Sequence, residues 1–226
     1  MMGKDAMDRA DRVPEDTIFA LASGQGAAGI AVFRVSGPGA GAALAALGGG
    51  QPVPRVATRA ALKAPGGAAL DDALVLWFPA PHSFTGEDVV ELHVHGGRAV
   101  GDAVAAALGG LAGLRPAQAG EFSRRAFGNG KLDLAQAEAL ADLVAAETEA
   151  QRLQALDQLG GGLSRRFEAW REQLIAVLAE VEAAVDFADE EIPADILLPV
   201  LPKLKGIQSN ITQHIDDRNL GERLRS

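Results

Sequence analysis

The spacing of apolar residues changes character once along the chain. Up to about residue 115, apolar positions alternate with small or polar ones or run in short blocks between glycines and prolines. From Asp133 onward they recur at every third or fourth residue. A period of two marks strands with one buried face, and a period of 3.6 marks helices. Thr17–Ala22 and Ile30–Ser36 read as strands joined by a Gly-rich turn at 23–29. Gly37-Pro38 opens a short helix through Leu47, which Gly48-Gly49-Gly50 and Pro52 end. Val56–Leu62 reads as an edge strand, with Ala73–Phe78 and Val89–His95 as further strands. A helix over Ala99–Leu108 completes this unit, and the segment from Pro116 reads as a loop.

In the second part, Asp133 followed by Gln136 has the arrangement of a capping box. The pattern predicts one helix from there to about Leu159, stopped at Gly160-Gly161-Gly162. Leu163, Phe167, Trp170, Leu174, Val177, Val181 and Val185 then form an i, i+3/i+4 stripe expected to be core. A third stripe, Val200, Leu204, Ile207, Ile211 and Ile215, predicts another long helix with Pro199 and Pro202 in its first turn. The expected fold class is α+β: an N-terminal mixed or antiparallel sheet domain with flanking helices, then a partial all-α helical bundle. The expected divisions are a disordered or tag-like start (1–15), an α+β domain (16–116) and a helical domain (117–226).

The strand at 89–95 carries the most informative polar pattern. Val90, Leu92 and Val94 share one face, leaving Glu91, His93 and His95 together on the other, before a Gly-Gly turn. That pattern fits either a polar site backed by a core or the wet face of an ordinary sheet. The two imidazoles with Glu91, and His82 in reach, are permissible zinc or iron ligands, but no third ligand is set by spacing and no metal site is assigned. Arg124, Arg125 and Lys131, with Arg98 and Arg115, form the densest basic region. It suits either RNA phosphate or a solvated loop balancing Glu121 and Asp133. The acidic run Asp186, Asp189, Glu190 and Glu191 reads as a helix end or a contact to another domain, and His214 as an exposed helix position.

Composition narrows the function classes. The chain has 226 residues, 48% hydrophobic and 23% charged, which is globular rather than disordered. Its net charge of −9 argues against holding RNA by bulk electrostatics. The absence of cysteine removes disulfides, thiolate catalysis and thiolate metal sites. No apolar run approaches membrane-spanning length and the first residues are too polar for a secretory signal, so a cytoplasmic location with no membrane partner is expected.

Longer literal runs carry a resemblance. Phe84-Thr85-Gly86-Glu87-Asp88 followed by Glu91-Leu92, His95-Gly96-Gly97, Gly120-Glu121-Phe122-Ser123 with Arg125-Ala126-Phe127, and Lys131-Leu132-Asp133-Leu134 with Gln136-Ala137-Glu138-Ala139-Leu140 occur in order. With Asp16-Thr17-Ile18, Arg34-Val35-Ser36-Gly37 and Ala184-Val185-Asp186-Phe187, they resemble the tRNA-modification GTPases of the MnmE/TrmE type over residues of about 16 to 192. The resemblance implies an N-terminal domain that binds a 5-formyl-tetrahydrofolate one-carbon donor, with cofactor-binding positions at Arg34, Glu91 and Lys131 and no catalytic residue. It implies homodimerisation through that domain, a flavin-dependent partner of the MnmG/GidA type, and wobble-uridine modification on tRNA. GTP, Mg and K sites belong to the full-length family, because no G-x-x-x-x-G-K-[ST] loop occurs here. The chain is therefore expected to be the N-terminal part of a longer protein, without GTPase activity of its own.

The three positions also have chemistry of their own. A carboxylate such as Glu91 can accept from the amidine-like N–H edge of a reduced pterin, while Arg34 or Lys131 suits the carboxylates of a glutamate tail. The alternatives are an Arg34–Glu91 salt bridge without ligand and a solvated Lys131, which would leave a dimerisation and scaffold module. The turn at 23–29 departs from the family's P-P-G-R-G-G-type loop, with Ala27 where a basic side chain is common, so no ligand contact is assigned to it.

Overall fold

The computed structural model describes residues 16–24, 26–186 and 197–216. The expected disordered start and Asp189, Glu190 and Glu191 lie outside the described residues. The chain forms two compact units, Met1–Leu132 and Asp133–Ser226. The first therefore extends beyond the boundary expected near residue 116, because ion pairs tie residues 121–125 back to its sheet.

The first unit is α+β. Its strands are β1 (Thr17–Leu21), β2 (Ala28–Ser36), β3 (Thr58–Lys63), β4 (Ala69–Phe78), β5 (Val89–Gly96) and β6 (Leu114–Pro116). They make one mixed sheet in the order β3-β4-β5-β2-β1-β6, antiparallel throughout except for the parallel β1/β6 pair. Helices α1 (Ala40–Ala46) and α2 (Arg98–Gly109) cover one face. Phe19, Phe33, Val35, Val75, Val90, Leu92 and Val94 point into that core, as the alternation of β5 predicts. Residue 116 begins no simple loop: Leu114–Pro116 pairs with β1, and Glu121–Gly128 forms a helix, α3. Both are short, and a three-residue strand carries too little periodicity to read.

The other sheet face carries the chemistry. In register across four strands lie Ala20, Arg34, Glu91 and Leu76, with Val32, His93 and Leu74 in the row on one side and Ser36, Val89 and Phe78 on the other. Near Ser36 this face is closed, and farther along it is open, with Leu74 49% and Ile30 62% exposed.

The second unit is helical among its described residues: α4 (Leu134–Ala145), α5 (Glu149–Leu159), α6 (Gly162–Asp186) and α7 (Val200–Ile215). The single helix expected from Asp133 to Leu159 is instead two. Asp133/Gln136 makes the expected capping box, and Thr148/Gln151 makes a second that starts a new helix. Pro199 caps α7 and Pro202 sits in its first turn, where a missing N–H costs nothing. The stripe on α6 was expected to be core, yet only Val177 is buried while Phe167, Leu174 and Val185 are exposed. The physical reason is limited cover: among the described residues the stripe has only α7, α5 and α4 beside it. His214 is half-buried rather than exposed, with Arg166 Nη1 2.8 Å from its Nδ1 and Trp170 edge-on.

Leu92 is 1% exposed at the centre of the sheet. Leu92→Ala should lower unfolding stability by about 2–5 kcal/mol through lost burial and a residual cavity, against about 0.5 kcal/mol for Leu74→Ala on the open face. Urea denaturation of the two variants beside the parent chain checks this.

Candidate functional site

The closed end of the second sheet face is organised by a buried ionic network. Arg125 on α3 is 5% exposed and reaches three segments at once. Its Nη1 donates to Glu87 Oε1 at 3.1 Å, and its Nη2 donates to Asp16 Oδ1 at 2.8 Å and to Glu121 Oε1 at 3.2 Å. Arg115 donates to both Glu121 oxygens at 2.8 and 2.6 Å and to Asp16 at 2.5 Å. Glu87 also accepts from Ser36 Oγ at 2.6 Å, and Ser36 meets Thr85 Oγ1 at 2.7 Å. At Arg115 and Arg125 the basic region is not a free cationic surface: both guanidinium groups balance Glu121, as the loop alternative expected, but Arg125 does so buried. Arg98 and Arg124 remain on the surface.

The network fixes the loop before β5, and the loop shapes a cavity of about 360 Å³. Its lining includes Arg34, Glu91 and Lys131, so the three positions singled out in the sequence converge on one space. Arg34 Nε and Nη2 both donate to Glu91 Oε1, at 3.0 and 2.7 Å. Its guanidinium lies 5.2 Å from the centre of the Phe84 ring and 5.8 Å from that of Phe122, which holds the head by cation–π attraction. The salt bridge considered from the sequence is therefore formed, and the Arg34 charge is neutralised. Among the described residues Glu91 Oε2 meets only His93 Nε2, at 3.4 Å, and is the carboxylate's remaining acceptor.

Lys131 reaches the cavity along Gly86. A Cβ at Gly86 would come within 3.2 Å of Lys131 Cγ, and the φ of +80° there is itself unfavourable for a side chain, so the position requires glycine. The Lys131 backbone is pinned to the Ala126 carbonyl at 2.8 Å, and Asn129 Nδ2 donates to the Thr85 carbonyl at 2.7 Å. Its ammonium has no acidic partner in the lining. Phe78, His82, Ser83, Val89 and Arg55 complete the wall. Arg55 carried no sequence signal: it sits before the edge strand, and only the fold swings it over Phe78.

The two histidines part company. His93 lies beside Glu91, whereas His95 is a surface residue paired with Asp71 Oδ1 at 2.8 Å. Their separate carboxylate partners draw them apart. Among the described residues no group of three or more His, Asp or Glu is placed to hold a metal ion. A second cavity of about 820 Å³, lined by Gly24, Gly26, Ala27 and the start of α2, is mainly apolar and offers no convergent acid–base chemistry. No described helix is long and apolar enough to cross a membrane.

Two family models match the chain: "GTP-binding protein TrmE N-terminus" over residues 17–131 and "MnmE helical domain" over residues 134–226. The chain belongs to the MnmE/TrmE family. Among curated relatives, proteins named tRNA modification GTPase MnmE are 59% identical over 211 residues in Paramagnetospirillum magneticum and 57% over 223 residues in Rhodospirillum rubrum. A third, from Parvibaculum lavamentivorans, is 55% identical over 212 residues. Each match covers 93% of this chain. The chain spans about half the length of these MnmE relatives, 48%, 49% and 48% in turn. Within the family's first domain, then, the literal motifs of this chain divide. Thr85, Glu87, Glu121 and Arg125 build the frame, while Arg34, Phe84, Glu91 and Lys131 face the cavity.

The frame predicts an acid sensitivity. Hydrogen bonds from Arg115, opposed by burial and aided by Gln118 N–H and Arg125, hold the Glu121 carboxyl at about 2, well below its ordinary 4.5. A group depressed in the folded state stabilises fully above its unfolded pKa, and that contribution is lost as the pH falls from about 5 towards 2. Melting temperature should therefore drop over this window. Glu121→Gln should be less stable at pH 7 yet show a shallower slope below pH about 5, which thermal melts across the range measure.

Proposed function

We propose that this chain is the cofactor-presenting part of a tRNA-modification GTPase, whose first unit holds a 5-formyl-tetrahydrofolate-type one-carbon donor in the cavity of Arg34, Glu91 and Lys131. The observation that carries this reading is the convergence of these three side chains from β2, β5 and the segment after α3 on one space of about 360 Å³. That volume accepts a bicyclic ring. Glu91 Oε2 is the acceptor for the pterin N–H edge. Arg34, already bound to Oε1 and held between two aromatic rings, positions that carboxylate instead of receiving the tail. Lys131 is then the cation for a tail carboxylate.

The one-carbon unit would be presented to a centre completed elsewhere. In the longer protein this role sits beside GTP hydrolysis, with its Mg and K, and beside a homodimer, an MnmG/GidA-type flavoprotein and the tRNA wobble uridine. A second reading is favoured by two observations: Arg34 is already paired with Glu91, and Ile30 and Leu74 leave an open apolar sheet face. In that reading the chain is a dimerisation and scaffold module with no ligand of its own.

Isothermal titration of 5-formyl-tetrahydrofolate into the chain separates the two. Micromolar binding that Glu91→Gln weakens about tenfold or more, roughly 1.4 kcal/mol, supports the cofactor reading. Lys131→Ala should cost about tenfold as well, by loss of one charged hydrogen bond. Self-association without heat from folate would leave the scaffold reading standing.

A further inference from the structure

Arg55 stands apart from the other described arginines of the first unit. Arg34, Arg59, Arg98, Arg115, Arg124 and Arg125 each lie against a carboxylate. Arg55 lies against none among the described residues. Its Nη2 donates to the His82 carbonyl, and its guanidinium stacks 5.5 Å over the Phe78 ring. These groups orient the head without neutralising it. Its backbone N–H is tied to the Trp77 carbonyl at 2.8 Å, and its φ is +63°, the one non-glycine at positive φ among the described residues. A side chain of this size in that conformation is strained, and the surrounding contacts hold it there.

The result is a charged fork presented in the cavity wall. Arg34, Arg55 and Lys131 face a single carboxylate, Glu91, and Arg34 already occupies it. Among the described residues two cations are thus left unneutralised in a concave site, on a chain whose net charge is −9. Such a local reversal of sign selects a ligand bringing two anionic groups. Phe78 lies one strand over and one same-face row along from Glu91, about 5 Å across and about 7 Å along the sheet. One planar N–H edge cannot touch both places, so a group that meets Arg55 belongs to a part of the ligand other than the edge anchored at Glu91.

We propose that Arg55 forms, with Lys131, a dicarboxylate subsite that takes the glutamate tail of the bound folate; this rests on the cofactor reading above. Arg55 supplies the fork that receives one carboxylate in bidentate fashion, and Lys131 supplies a point charge for the other. The preference of the chain for folates over simple pterins then resides largely in these two side chains.

The test is calorimetric titration of the parent chain, Arg55→Gln and Arg55→Lys with two ligands: 5-formyl-tetrahydrofolate, and 5-formyl-6-methyltetrahydropterin, which has no tail. Arg55→Gln should weaken the folate about tenfold and leave the pterin within about twofold, and the salt dependence of folate binding should fall. Arg55→Lys, which keeps the charge but not the fork, should lie between, and it carries the comparison if circular dichroism shows Arg55→Gln unfolded. Equal weakening of both ligands, or no change in either, would overturn the role of Arg55 while leaving the pterin site intact. A parent chain that binds neither ligand would overturn the cofactor reading and this subsite with it.

Discussion

A guanidinium sealed beneath a short helix is the constraint on which the first unit depends. Arg125 has a side chain 3% exposed, and an isolated charge so placed would cost several kcal/mol. It is tolerable only when Asp16, Glu87 and Glu121 arrive together, and they come from three separate stretches of chain. Arg115 repeats the demand on Asp16 and Glu121, so three carboxylates and two guanidinium groups close on one another. The fit is incomplete in one respect, since Arg125 Nε has no hydrogen-bond partner. A network of this kind adds less net stability than its bond count suggests, but removing one member leaves a buried charge exposed to no compensation. Its effect is to permit one arrangement of the segments it joins.

That arrangement is what gives the cavity its walls. Glu87 anchored on Arg125, with Thr85 on Ser36 and Asn129, sets the loop from which Phe84 covers Arg34. The same loop offers Gly86 as the track along which Lys131 enters. Most of the literal family motif is therefore architecture. The side chains that face the cavity are few, and neighbours orient them: Arg34 orients Glu91, two phenylalanines orient Arg34, and the His82 carbonyl orients Arg55.

Much of this was legible along the chain. The alternation of Val90, Leu92 and Val94 against Glu91 and His93 is a property of consecutive residues, and the sheet reproduces it. The capping box at Asp133 is equally local. The second box, at Thr148, is as plain in its residues but was overridden by a continuous apolar pattern. The stripe on α6 showed helical period correctly and burial incorrectly, because period reports which face is apolar and not what covers it.

By itself, then, the sequence determined the fold class, the buried face of β5 and the family, and it singled out Arg34, Glu91 and Lys131, which line one cavity; all were carried by local spacing or literal motif. Only the tertiary structure decided that Arg34 is spent on Glu91, that Arg125 is a buried strut and not a basic surface, and that Arg55 belongs to the cavity. The physical reason is separation along the chain. Arg34 and Glu91 are 57 residues apart, and Arg125 and Asp16 are 109. Whether a charge is paired or free depends on which distant segment the closed sheet brings beside it, and no local pattern records that.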